Sequence, residues 1–384
     1  MPISSIARRL GVASTILAIH HLKIRIEGFR VTIRIAVIGA GMIGRRHIDL
    51  VNANPKCKLV AICDPTSSSA QLADQHHVPY FKHYQVLIEQ IEVDGAIIAT
   101  PNTLHVPIGV VFAERGIDLL IEKPIADTIE EARRLVEVAD QTGIQLMVGH
   151  YRRFNPLVQK ARQVIQSGEI GSLVAVNLLW ALQKPENYYD VVWRTESGGG
   201  PILINLIHDI DILRYVCGEI HQVCALTSSV TRGFDVEDAA SISLQMTDGA
   251  LGAIAVSDAA PAPWSYESTM FENHNFAHQA ENCYYFMGSQ GSLAFPRMEL
   301  WKYDHPQQSG WNHPLTKRIL TVEDFDPLMA QLDHFCRVIQ RKETPVVSGL
   351  EGMKTLAATL AIHESARLGK SIRILQDNSI GLSV

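Results

Sequence analysis

Three glycines and a carboxylate are the residues whose types and spacing point most directly to chemistry. Gly39, Gly41 and Gly44 form G-x-G-x-x-G, and Asp64 follows 20 residues after the last of them. In this pattern the first glycine permits a tight turn, and the second lets a pyrophosphate approach the backbone. The third lets a helix pack closely on a strand. Free N–H groups where that helix begins, at Met42 and Ile43, would attract the phosphates together with the helix dipole. Asp64 would accept both hydroxyls of an adenosine ribose. The chemistry implied is the binding of a dinucleotide.

The elements needed to position these residues are legible around them. The apolar run Ile35-Ala36-Val37-Ile38 suits a strand buried on both faces of a parallel sheet. A second such run, Leu59 to Cys63, ends at Asp64. Helix and strand patterns then alternate. A strand at Asp94–Thr100 leads into Thr100, Pro101, Asn102 and His105, and one at Leu119–Ile121 into Glu122, Lys123 and Pro124. Thr128 reads as the cap of a helix with Glu130 and Glu131 in its first turn. This rhythm implies a doubly wound α/β sheet over 33–150, with ligands at the C-terminal strand ends.

The pattern changes after Tyr151. Pro156 starts a helix, and strands of alternating character follow at Leu173–Leu179, Val223–Val230, Ala240–Met246 and Gly252–Ser257. They describe a second α/β domain, 151–384, built on a large, mostly antiparallel open sheet. A Gly198-Gly199-Gly200 loop precedes a helix from Ile202 to Cys217. Residues 261–278 have no clear period and read as a loop over a site or an interface. A late helix, Gly352–Leu368, leads into a strand at Ser371–Leu375.

With 384 residues the chain is long enough for two cores, and 47% hydrophobic with 19% charged residues is ordinary for a globular protein. A net charge of −6 gives no electrostatic case for nucleic acid or an anionic membrane as partner. No stretch reaches the ~20 apolar residues of a membrane span. The six cysteines have neither C-x-x-C nor zinc spacing, the histidines lack ligand-spaced partners, and no metal site is expected. The thiols read as reduced, in a cytoplasmic protein. Residues 1–32 carry Arg8 and Arg9 before a modest apolar run but no cleavage site, and read as a disordered extension.

Taken in order, Gly39–Gly44, Thr100–His105, Glu122–Pro124, His150–Pro156, Trp193–Arg194, Gly198–Gly200 and Ile207–Asp211 resemble the Gfo/Idh/MocA family of oxidoreductases over roughly residues 33 to 375. The resemblance implies a Rossmann domain followed by an α/β domain whose open sheet forms the contact of a homodimer or homotetramer. It implies oxidation or reduction of a secondary alcohol on a cyclic polyol or sugar derivative, the small-molecule substrate, most like the inositol dehydrogenases. Lys123 becomes the catalytic lysine, whose ammonium steadies the oxygen as it turns into a carbonyl. His208 becomes the proton acceptor. Tyr151, Arg152, Asn205 and Asp211 are expected to bind substrate, and Asp211 to orient the imidazole from the same helix face. Thr100, Pro101, Asn102, His105, Glu122, Trp193 and Arg194 are expected to join the glycines and Asp64 at the cofactor.

The pattern is broken at one position. Inositol dehydrogenases carry an Asp four residues before this histidine, and here Ile204 stands in its place, with Asn205 next and off the helix face. NAD is expected over NADP, because Asp64 is followed by Pro65 and Thr66 with no cation to hold a 2′-phosphate. Dihydrodiol oxidation, keto-sugar reduction and a non-catalytic NAD(P)-binding regulator are the alternative readings on this scaffold.

Overall fold

The computed structural model describes residues 32–323, 325–376 and 380–384, so the expected extension falls outside the described residues, Thr32 apart. Residues Ile33–Val384 make one compact unit. Its first sheet holds β1 (Ile33–Ile38), β2 (Cys57–Cys63), β3 (Tyr80–Phe81), β4 (Gly95–Ile98), β5 (Asp118–Ile121) and β6 (Leu146–Val148). The order is β3-β2-β1-β4-β5-β6, and every pairing is parallel. The strand order reverses between β1 and β4, which opens a crevice at their C-terminal ends. Val37, Ile97 and Leu120 are fully buried, as parallel strands covered on both faces must be. Thr128 caps the helix Ile129–Thr142 as expected, its side chain accepting from Glu131 N–H.

The second sheet has ten strands: β7 (Leu173–Ala181), β8 (Ile220–Ser228), β9 (Ala239–Met246), β10 (Leu251–Ser257), β11 (Tyr284–Gly288), β12 (Gly291–Phe295), β13 (Glu299–Lys302), β14 (Thr316–Ile319), β15 (Ile372–Leu375) and β16 (Gly381–Ser383). Its order is β14-β13-β12-β11-β7-β10-β9-β8-β15-β16. All pairings are antiparallel except β7 with β10. Along β9, Ala240, Ile242, Leu244 and Met246 are buried while Ser241, Ser243 and Gln245 are exposed, the signature of one covered face. The helix Gly349–Leu368 helps cover it, tied to β8 by the Ser365 hydroxyl, which accepts from Ala225 N–H at 2.9 Å. On the other face Leu226 lies in register with Ser241, and Ser241 with Ala255, all three exposed.

The two sheets are not packed independently. The helix Pro327–Ile339, absent from the sequence reading, returns to the first sheet. Phe335 and Ile339 pack so tightly on Gly95 that a Cβ there would lie 2.6 Å from Ile339. The edge of β6 is likewise finished from afar, Val148 N–H donating to the Val347 carbonyl. These contacts join the first sheet to the helices that follow the second.

Candidate active site

The glycine turn comes first. Gly39 has φ of +94°, open to glycine, and a Cβ on it would strike the Ala99 carbonyl. A Cβ on Gly44 would run into the Gly39 carbonyl, so this glycine allows the helix Met42–Ala53 to sit against the turn. Gly41 is different. A Cβ there meets nothing within 4 Å, and no side chain caps the helix start. The helix start at Met42 and Ile43 therefore stays open to a ligand, and Met42 is 84% exposed. Asp64 closes the turn by accepting from Ala40 N–H at 2.8 Å and from Thr66 N–H and Oγ1. Burial opposes its charge, but these donors more than offset that and hold the carboxyl below its ordinary pKa. At the end of β4, Thr100 Oγ1 is buried without a partner. A charged carboxylate, an open anion cradle and an orphaned hydroxyl along one crevice fit a nicotinamide dinucleotide. When bound, that group supplies the hydride acceptor.

His105 and Glu122 serve the site from behind. His105 sits with Nε2 2.9 Å from the Thr100 carbonyl and Nδ1 2.8 Å from the Pro124 carbonyl, its ring N–H donating to one of them between the ends of β4 and β5. The Glu122 side chain turns inward, 2.7 Å from His47 Nε2, and is only 6% exposed. Sequence reasoning put both residues at the cofactor; their side chains are spent on holding the strand ends, because buried polar groups must be satisfied locally.

Lys123, directly after Glu122, enters a cavity of about 200 Å³ whose lining includes Tyr151, Arg152, Ile204, Asn205 and His208. Its ammonium donates to the Ile204 carbonyl at 2.9 Å. Burial lowers its pKa to about 8, with Glu122 partly opposing the shift. The helix expected from Ile202 is not regular. Residues Ile202–Leu206 form a π-turn, in which Ile207 N–H reaches back five residues to the Ile202 carbonyl, before the α-helix Ile207–Cys217 begins. Such turns recur at functional sites. Here it places both Ile204 and Asn205 on the cavity with His208, correcting the expectation that Asn205 lies off the face. The partner that this turn offers the lysine is a main-chain oxygen, not a carboxylate.

His208 is not oriented by a side-chain hydrogen bond. Its Nδ1 is buried without a partner, as is Asn205 Oδ1. The ring is instead wedged edge-on between Tyr151, at 5.8 Å between centroids, and His150, at 6.1 Å. Burial, then Lys123 and Arg152, push its pKa well below the ordinary value, so the imidazole is neutral and ready to accept a proton. His150, which sequence reasoning quoted without a role, is buried with both ring nitrogens unpartnered.

Asp211 is a correction. It does not reach His208 or the cavity. It accepts from Arg153 at 2.7 and 2.8 Å and from the Thr355 hydroxyl at 2.8 Å. Three residues along a helix bring two side chains near one face, but Arg153 outbids the imidazole because a bidentate charged pair is the stronger interaction. Arg152 does line the cavity, lying 3.8 Å over the Tyr266 ring and donating to Asp209 and Glu267. Asn155 stands behind the wall, capping the helix Pro156–Gln166 and donating to Glu272. Trp193 and Arg194 do not line the cavity. Arg194 stacks 4.1 Å from Tyr188 and donates to its carbonyl, while Trp193 is half exposed.

One side of the cavity was missed as residues. Tyr266, Glu267, Met270, Glu272, Asn273 and Phe276 all line it. The segment was read as a loop over a site, and its two acids beside a tyrosine were the available signal. Among the described residues no cluster of His, Cys, Asp or Glu could hold a metal, and no helix is long and apolar enough to cross a membrane.

The fold and this crevice define an NAD(P)-binding oxidoreductase, with a lysine and a neutral histidine sharing one pocket at the strand ends. Residues 33–150 match the oxidoreductase family GFO_IDH_MocA, NAD-binding Rossmann fold, and residues 158–294 match the GFO/IDH/MocA C-terminal domain. The chain belongs to the GFO/IDH/MocA family, whose members act on CH–OH groups. It is 26% identical to the scyllo-inositol 2-dehydrogenase (NAD(+)) of Bacillus subtilis (strain 168), over 89% of this chain and 96% of that one. It is 29% identical to the rhizopine catabolism protein MocA of Rhizobium meliloti, over 64% of this chain and 77% of that one. The WlbA dehydrogenase of Bordetella pertussis, solved with NADH and UDP-GlcNAcA, shares the fold with a TM-score of 0.74 at 24% identity, over 90% of this chain and all of that one.

Proposed function

We propose that this enzyme is an NAD-dependent dehydrogenase that oxidises a secondary hydroxyl of a cyclic polyol or sugar derivative. The observation that carries the reading is the Lys123 ammonium and the neutral His208 imidazole lining one cavity. His208 takes the hydroxyl proton, and Lys123 steadies the oxygen as it becomes a carbonyl. Holding the carbinol carbon in reactive geometry supplies roughly 7–11 kcal/mol of the barrier. The inositol dehydrogenase relatives support the substrate class. Asp64 supports NAD, since its charge opposes a 2′-phosphate by at least about tenfold, or ~1.4 kcal/mol. The test is NADH formation on mixing enzyme with NAD and a panel of inositols, hexoses and dihydrodiols, repeated with NADP. No turnover on any ring would sink the substrate reading, and equal kcat/KM with NADP would sink the cofactor reading.

We further propose a homodimer or homotetramer formed through the open face of the ten-stranded sheet, around Leu226, Ser241 and Ala255. An uncovered sheet face of small and apolar residues favours burial against a second copy. Light scattering that reports a monomer at micromolar concentration contradicts it.

A further inference from the structure

Glu272 is a half-buried carboxylate on the substrate cavity with one of its two oxygens unpartnered. Its Oε1 accepts from Asn155 Nδ2 and from the Tyr266 hydroxyl, both at 2.5 Å. Its Oε2 is buried and has no partner. Burial raises the pKa of this carboxyl, against Tyr266, Arg152 and Asn155, so its charge is under-compensated. A ligand group that donates a hydrogen bond or carries a positive charge would make good that deficit.

The cations of the cavity are already taken. Arg152 gives Nη1 to Asp209 at 3.3 Å and Nη2 to Glu267 at 2.7 Å, and only its Nε is unpartnered. Lys123 donates to the Ile204 carbonyl, and the proposed reaction directs a second N–H to the reacting hydroxyl. Against these two cations stand Glu267 and Glu272 on the lining, with Asp209 bonded directly behind Arg152. An added carboxylate would face two half-buried acids, with the Arg152 guanidinium already bonded to Asp209 and Glu267. Such like-charge juxtaposition costs several kcal/mol in a desolvated site.

We propose that Glu272 determines substrate specificity, selecting rings that carry only hydroxyl or amino substituents and rejecting carboxylated ones. The proposal rests on reading this cavity as the CH–OH site and narrows the substrate class from there. A hydroxyl suits this lining because it both donates and accepts and brings no charge to set against Glu267 and Glu272. The cavity, about 200 Å³, is smaller than the ~300–1,000 Å³ typical of drug-sized sites and suits a single ring.

The experiment measures kcat/KM with NAD for the inositols and for glucose, galactose and mannose, each hexose with its uronate and its 2-amino counterpart. Calorimetric binding of the same sugars to the NADH-loaded enzyme runs in parallel. The neutral or amino member of a productive set is expected to exceed its uronate by at least about tenfold. Glu272→Gln should shrink that ratio by a similar factor and weaken the amino sugar, since the amide keeps the shape and loses the charge. Uronates used as well as their neutral counterparts would overturn the role of Glu272 while leaving the dehydrogenase reading intact, as would an unchanged ratio in Glu272→Gln. If no ring is oxidised or bound, the dehydrogenase reading fails and this inference falls with it. The wild-type series decides the matter even if the variant does not fold.

Discussion

Replacing Lys123 by Met removes one charge from the cavity and leaves the glycine turn and Asp64 untouched. Burial lowers the lysine pKa from 10.5 to about 8, Glu122 opposing. At ~1.4 kcal/mol per unit, the fold holds this ammonium at a cost of about 3 kcal/mol. An oxygen turning into a carbonyl is the group that the unsolvated ammonium can stabilise, and losing one such donor costs roughly 2.7–4 kcal/mol of barrier. On that loss, kcat should fall by about 10²–10³. The sign of the pH dependence follows from the same shift. Lys123 must be protonated, so wild-type activity declines as pH rises through about 8, and Lys123→Met should lack that alkaline limb. Stability moves the other way: a depressed lysine pKa makes the folded state gain stability as pH rises from about 8 towards 10.5, a gain the Met variant lacks. Steady-state NADH absorbance on the best ring of the panel, from pH 6 to 10, reads the rate, and NADH fluorescence titration reads cofactor affinity, which should change little. A variant with kcat within about fivefold of wild type, or with the alkaline limb intact, refutes the assignment.

Three further outcomes are expected. His208→Ala should lower kcat by ~10²–10⁴ and abolish the acid limb, which in wild type lies well below pH 6.5 because burial, Lys123 and Arg152 keep the imidazole neutral until then; an unaltered pH–rate profile places the base elsewhere. Gly41→Ala should fold normally, since its Cβ meets no atom, yet weaken NADH binding by at least about tenfold by filling the phosphate cradle; Gly44→Ala should instead lose stability through its clash with the Gly39 carbonyl, and the opposite ranking in calorimetry and fluorescence titration would contradict the cradle. Asp211→Asn should lower stability by about 3 kcal/mol by leaving buried Arg153 short of a countercharge, read as a fall in Tm; a loss of kcat with no loss of Tm would return Asp211 to the active site.

The division between what was legible early and what was not follows the range of the forces involved. The glycine turn, the Thr128 cap and the parallel strands were readable because each is set by neighbours in sequence: a positive φ at Gly39, a hydroxyl three residues before an N–H, a contiguous apolar run. Lys123 and His208 were legible as chemistry through the resemblance of their motifs to the Gfo/Idh/MocA family, and the structure brings both to one cavity. Strands β11 to β14 and the helix Pro327–Ile339 escaped, since they are short or irregular in pattern and owe their form to partners far along the chain. The partner of Asp211 also lay beyond reach, because Arg153 lies 58 residues away and only folding decides which cation arrives first. The π-turn at Ile202–Leu206 is the clearest case. Nothing in Ile-Leu-Ile-Asn-Leu announces a widened turn, yet that turn gives Lys123 a main-chain carbonyl as its partner. A sequence fixes which groups are present and which local turns are open to them. Which side chains share the cavity is settled only when distant segments close over the site and the other polar groups have found their partners.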